Sequence, residues 1–194
     1  LINPTSGSIF INGREISDYK DAARMLRKMV RIVFQYPEYQ LFEETVYKDI
    51  AFGPTNMGLS DDEIKERVLK AAKFVGLPDN KLNDSPFDLS GGEKRRAAIA
   101  GVIAMDPDIL ILDEPTAGLD PRGRRRILNL IKKLHEERNM SIVLVSHCME
   151  DVAEYADRVL VLKKGELVGD GSPKEIFANR VLFEDKGLLV PEAV

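Results

Sequence analysis

Leu89-Ser90-Gly91-Gly92-Glu93 stands shortly before Ile109-Leu110-Ile111-Leu112-Asp113-Glu114, and this ordered pair decides how the chain reads. Four aliphatic residues running into two adjacent carboxylates predict a buried strand. Its acids emerge at the C-terminal edge of an open α/β sheet, where such sheets bind ligands. Two acids there suit nucleotide hydrolysis, because one can orient a metal while its neighbour polarises a water. The preceding Ser-Gly-Gly offers a hydroxyl and bare backbone amides at a helix start, where unpaired N–H groups and the helix dipole stabilise anions. Together the two stretches point to phosphate chemistry.

Working outward, helix Pro121 to Arg138, with Asp120 as N-cap, has Ile127, Leu130, Ile131 and Leu134 on its inner face. Strand Ser141 to Val145, helix Met149 to Ala156 and strand Arg158 to Leu162 follow, the alternation of a parallel α/β sheet. Glu166 to Gly169 reads as a short edge strand and Ser172-Pro173-Lys174-Glu175 as a helix start. Upstream, Ser8 to Ile11 with Asn12-Gly13 reads as strand and turn, Asp21 to Met29 as helix, and Val30 to Phe34 as a short buried strand. Ser60-Asp61-Asp62-Glu63 is a capping box, and Ile64, Val68, Ala72 and Val75 mark one helical face until Gly76 ends it. Ser90 to Glu93 fits the same capping pattern.

The 194 residues, 44% hydrophobic and 31% charged, suit one globular domain. A net charge of −4 argues against a general nucleic-acid or anionic-membrane surface. Arg122, Arg124, Arg125 and Arg126 form the one basic run, expected on a solvated helix face. A single cysteine, Cys148, excludes an internal disulfide and fits a reducing cytosol; with only His135 and His147 beside it, ligands for a structural zinc are lacking. No window approaches the ~20 apolar residues of a membrane span, so a membrane role has to come through a partner.

These motifs resemble the nucleotide-binding subunit of ATP-binding-cassette (ABC) transporters. Leu89 to Glu93 resembles the family signature, Ile109 to Glu114 the Walker B strand, Ala117-Gly118-Leu119-Asp120 the D-loop, Gln35 the Q-loop glutamine and His147 the switch histidine. The segment Phe34-Gln35-Tyr36-Pro37-Glu38-Tyr39-Gln40-Leu41-Phe42, with Thr45 to Pro54 after it, is similar to the ATPases of energy-coupling factor (ECF) importers, which include cobalt-importer ATPases. The implied fold is α/β: a P-loop NTPase-like cassette with a mostly parallel core sheet flanked by helices, plus a small helical subdomain carrying the signature. The implied division is 1–44 (β-rich part and Q-loop strand), 45–104 (helical subdomain) and 105–194 (α/β core).

The resemblance implies ATP and Mg²⁺ as cofactors. It gives Glu114 and His147 catalytic roles: Glu114 polarises the attacking water, and His147 contacts the γ-phosphate. Asp113 and Gln35 orient Mg²⁺. Ser90, Gly91 and Gly92 close over ATP held by a second subunit, and Gln35 and Asp120 are further nucleotide-binding residues. Glu93 stands where the family more commonly has Gln, and Cys148 where it often has an acid. The family's Gly-x-x-x-x-Gly-Lys-Ser/Thr loop has no counterpart, since none of the 14 glycines precedes a lysine. The expectation is therefore a segment of a longer cassette that lacks the Walker A region and the C-terminal end and is inactive alone.

The implied partners are a second ABC ATPase, identical or paralogous, a transmembrane coupling protein and a substrate-binding membrane component, at the cytoplasmic face of the membrane. Nucleic acid is not among them. The implied activity is ATP hydrolysis driving uptake of cobalt, nickel or a vitamin. Two alternatives are a soluble ABC ATPase acting on nucleic acid or ribosomes, and a non-catalytic fragment. Tyr36, Tyr39, Leu41 and Phe42 are expected either to pack internally or to line a groove for a partner's coupling helix.

Overall fold

The computed structural model describes residues 5–11, 13–15 and 26–179. Its centre is a three-stranded parallel sheet of β3 (Val30–Val33), β4 (Ile109–Asp113) and β5 (Ser141–Val145), in the order β3-β4-β5. The register sets Val33 beside Leu112 and Asp113 beside Val145, so all three strands end on one edge. β4 is not buried on both faces. Leu110 and Leu112 are fully enclosed on one face, whereas Ile109, Ile111 and Asp113 remain partly accessible on the other. On the neighbouring strands Ile32, Val143 and Val145 are exposed, which continues that open face; β3 buries only Val33 and is correspondingly less enclosed than expected.

Between β3 and β4 the chain builds a helical unit. A 3₁₀ turn, Pro37–Gln40, leads to α1 (Val46–Asn56), α2 (Asp61–Phe74) and α3 (Gly91–Ile103). Thr45 caps α1 by accepting from Lys48 N, and two further N–H groups of its first turn are satisfied by the carbonyls of Asp84 and Leu82, at 3.0 and 2.8 Å. Ser60 and Glu63 form the capping box of α2, and Gly76 ends that helix at φ +71. Gly53 lets α1 approach the residues after α3 closely, since a Cβ there would lie 2.6 Å from Met105 Cγ and Sδ. Ile50, Val68, Ala72, Ile99 and Ala100 meet in a core continuous with Leu110 and Leu112.

After β4, α4 (Pro121–Arg138) buries Ile127, Leu128, Ile131 and Leu134 against the sheet's enclosed side; Leu130, expected inside, is only half-buried. Asn139 stops it in the left-handed conformation, which a short polar side chain tolerates. Then follow α5 (Met149–Tyr155), β6 (Val159–Lys163), β7 (Glu166–Gly171) and α6 (Pro173–Ala178).

The expected placement of strand 158–162 in the parallel sheet needs correction. Among the described residues β6 pairs only with β7, antiparallel. The cause is local: Lys164 and Gly165 both take positive φ (49 and 85), the geometry of a two-residue hairpin turn. Pairing extends β7 to Gly171, past the anticipated end at Gly169. Near the N-terminus β1 (Phe10–Ile11) and β2 (Arg14–Glu15) form an antiparallel ribbon with Gly13 at φ +76 in the turn. Residues 26–29 are helical, while the rest of the helix anticipated from Asp21, like the C-terminal residues 180–194, lies outside the described residues. No described helix is long and apolar enough to cross a membrane.

Candidate active site

Parallel register brings the candidate residues to one edge. Gln35 follows β3, Asp113 closes β4 with Glu114 next, and His147 lies two residues beyond β5. Glu114 is held in place by its backbone: its N–H donates to Val145 O at 3.0 Å, and its carbonyl accepts from Ala117 N at 3.1 Å. The residue adopts φ +48, left-handed and unfavourable for a non-glycine. That kink aims the carboxylate at His147, whose Nδ1 lies 2.6 Å from Glu114 Oε1. A carboxylate only accepts, so Nδ1 is the protonated donor of this contact, and Nε2 is left for another partner. Glu114 is largely enclosed, at 17% side-chain exposure, whereas His147 is 77% exposed.

The turn bearing His147 is fastened from behind. Ser146 Oγ accepts from Cys148 N at 3.1 Å, and buried Asp151 in the first turn of α5 receives Arg124 Nε at 3.0 Å and Nη2 at 2.7 Å. Arg124 also contacts Cys148 Sγ, and the Cys148 thiol donates to Glu150 Oε2 at 2.7 Å. Asp151 holds the Arg124 guanidinium more firmly protonated than usual, while burial and Glu150 push the Cys148 thiol up. Glu150 and Asp151 supply the acids of that first turn. Arg124 departs from the anticipated solvated face, unlike its exposed neighbours Arg122, Arg125 and Arg126.

Asp113 is half-buried and Gln35 exposed; neither side chain makes a hydrogen bond or ion pair to the described residues. A carboxylate and an amide oxygen, both uncommitted, are hard donors of the kind Mg²⁺ takes alongside water and phosphate oxygens. They fit part of a Mg²⁺ site, though no cluster of three or more acidic, His or Cys ligands occurs among the described residues.

Ser90, Gly91 and Gly92 occupy the N-terminus of α3, and no hydrogen bond among the described residues joins them to Asp113, Glu114 or His147. Ser90 Oγ accepts from Glu93 N at 3.4 Å and donates to Glu93 Oε2 at 2.6 Å, while Ser90 N donates to the same oxygen at 2.9 Å. These Ser90 hydrogen bonds hold the Glu93 carboxyl below its usual range. Asp120 is likewise occupied, its Oδ1 accepting from Gly123 N at 2.8 Å as the cap of α4.

Sequence reading missed one feature entirely. Arg95, in the second turn of α3, is 2% exposed and forks onto both oxygens of Glu38, Nε to Oε2 at 2.9 Å and Nη2 to Oε1 at 2.7 Å. Its Nη1 also donates to the carbonyls of Pro115 and Ala117, at 3.1 and 3.0 Å. The only hint available was the match between one basic and one acidic residue 57 positions apart, which carries no signal in a chain with 28 basic and 32 acidic residues.

In this loop Leu41 packs inside, Phe42 meets Phe52 edge-on at 5.0 Å, and Tyr39 stands 84% exposed beside Tyr36. A groove of about 840 Å³ runs past Phe42, Phe52, Met57 and Met105, and Arg27, Lys28 and Arg31 also line it.

Residues 1–117 match the ABC transporter family. The energy-coupling factor transporter ATP-binding protein EcfA2 of Caldanaerobacter subterraneus subsp. tengcongensis is 55% identical over 192 residues, covering 99% of this chain and 67% of that protein. The chain belongs to the ABC transporter ATP-binding family. Among solved ABC structures, cbiO1 from Clostridium perfringens, part of the ABC transporter complex cbiONQ, superimposes with a TM-score of 0.84 at 41% identity, covering 93% of this chain and 71% of that one. The ATP-binding cassette MJ0796, a dimer in a post-hydrolysis state bound to ADP and Pi, gives 0.72 at 28% identity, with 89% and 75% covered. The parallel sheet with its helices is the ABC cassette fold, a P-loop NTPase architecture.

Proposed function

We propose that this chain carries the catalytic edge of an ATP-hydrolysing subunit that energises an ECF-type importer of a vitamin or of cobalt or nickel. The observation that carries the reading is the Glu114–His147 contact at 2.6 Å, on the same edge as the uncommitted Asp113 and Gln35. Glu114 accepts a proton from the attacking water. His147, with Nδ1 engaged, presents Nε2 to the γ-phosphate and keeps the carboxylate aimed. Asp113 and Gln35 hold Mg²⁺, which when bound neutralises charge developing on the phosphate oxygens.

The family likeness supports ATP as nucleotide, and the ECF names of the relatives support the class of transporter. A second ATPase subunit, identical or paralogous, completes each site by presenting Ser90, Gly91 and Gly92. The dimeric MJ0796 neighbour supports that arrangement. Exposed Tyr39 and Phe42, with the apolar groove beside them, receive a helix of the transmembrane coupling protein. The subunit sits peripherally at the cytoplasmic face.

Glu114→Gln in the full-length protein tests the assignment. It keeps the side-chain shape but removes the proton acceptor, so turnover falls about 10²–10⁴-fold with ATP binding retained. Hydrolysis within a few-fold of the parent refutes the role of Glu114. In mixed dimers carrying Ser90→Arg in one chain and Glu114→Gln in the other, both changes fall in the same composite site and the second site stays intact. Activity tracking each chain separately overturns the shared-site model.

A further inference from the structure

We propose that Arg95 is a positioning residue that couples the loop after Gln35 to the loop after Glu114, through one buried guanidinium. The inference rests on the reading of Glu114 above. Four of the five N–H donors of Arg95 are accounted for: two on Glu38 in the 3₁₀ turn and two on the carbonyls of Pro115 and Ala117. Glu38 lies between the exposed docking candidates Tyr36 and Tyr39. Pro115 and Ala117 belong to the backbone directly following Glu114. One side chain on the signature helix therefore joins all three segments.

A second contact runs parallel to the first. Tyr36 is held at φ +55, its ring 5.9 Å from the Arg95 guanidinium, and a Cβ at Gly118 would come within 3.3 Å of Tyr36 Cε1. Gly118, at φ +72, sits in a backbone conformation that favours glycine, and a side chain there would also crowd the Tyr36 ring. The Q-loop and D-loop pack directly on one another as well as through Arg95. Displacing Glu38 pulls on the guanidinium and hence on the Pro115 and Ala117 carbonyls. The turn that fixes Glu114 cannot stay still when the 3₁₀ turn moves.

Charge alone does not explain this arrangement, because a buried ion pair is a weak source of stability and an apolar pair of similar volume often replaces it without loss. Lysine would keep the charge but could not fork onto Glu38 and reach two carbonyls together. Arg95→Lys, Glu38→Gln and the apolar double variant Arg95→Met with Glu38→Leu separate a positioning role from a stabilising one.

Each is made in the full-length ATPase within its membrane complex. Melting temperature, ATP-binding stoichiometry, and KM and kcat for ATP per binding-competent site are measured. Arg95→Lys is expected to lower kcat about tenfold or more with KM within twofold, since orientation is lost and nucleotide contacts are not. The apolar double variant is expected to recover the parent's melting temperature and yet keep the low kcat. Recovery of kcat with the melting temperature overturns the proposal, as does Arg95→Lys turning over at the parent's rate. The parent and Glu114→Gln serve as controls: a parent without ATPase activity, or a Glu114→Gln variant as active as the parent, removes the underlying reading instead.

Discussion

Asp151→Asn is the most informative stability perturbation, because it removes one charge from the anchor behind His147 and almost nothing else. Asp151 is buried and receives Arg124 through Nε and Nη2 at 3.0 and 2.7 Å. Charge-assisted hydrogen bonds contribute about 1.5–3 kcal/mol net, and an acid in the first turn of a helix adds about 0.3–1 kcal/mol. Asparagine keeps one accepting oxygen and returns about 1 kcal/mol of that. Breaking a fully buried pair costs about 3–5 kcal/mol. Arg124, however, keeps 36% of its side chain in water and can rehydrate, which lowers the figure.

The expected loss is about 2 kcal/mol, read by urea titration of the full-length protein, with a melting temperature lower by roughly 2–4 °C per kcal/mol. The cycle with Arg124→Gln isolates the pair, and a coupling energy of about 1–2 kcal/mol is expected. Coupling below about 0.5 kcal/mol, within the scatter of independent sites, refutes the anchoring argument.

Replacing Tyr39 and Phe42 together with Ala is expected to leave ATPase activity of the separated subunit intact while abolishing co-purification with the membrane partner. Parent-level co-purification and uptake count against docking at this loop. Glu38 sets a pH dependence: burial opposes its ionisation, but the hydrogen bonds and charge of Arg95 outweigh that and hold its carboxyl below the ordinary value. Its contribution is therefore full above the unfolded value of about 4.3 and fades as pH falls from there through the folded one. Glu38→Gln is expected to flatten this acid limb in pH-dependent urea titrations, and an unchanged limb sinks the claim.

The candidate site was legible because its residues are set by short local patterns. A strand register and a one- or two-residue overhang place Asp113, Glu114 and His147, and both signals lie in contiguous sequence. The capping boxes at Ser60, Ser90 and Ser172 were readable for the same reason. What sequence could not supply was anything decided by contacts between distant segments. The one-sided burial of β4 depends on what covers the Val143 and Ile32 face, and an aliphatic run looks the same either way. The pairing of β6 with β7 turned on positive φ at Lys164, a residue type that gives no warning of it. The Arg95–Glu38 fork and the Arg124–Asp151 pair join charges 57 and 27 residues apart, among hundreds of equally plausible combinations.

The left-handed backbone at Glu114 has a consequence for how such a chain drifts under selection. A non-glycine residue at φ +48 costs about 1–2 kcal/mol, which glycine would recover and asparagine would partly recover. On the role proposed for Glu114, the position most needed for turnover is thus one where loss of function is rewarded with a firmer fold. A screen for heat resistance alone, with no demand for ATP turnover, would be drawn toward Gly or Asn at residue 114. Lineages that lost the need to hydrolyse ATP would be expected to shed this glutamate early, well before the strands beneath it began to change.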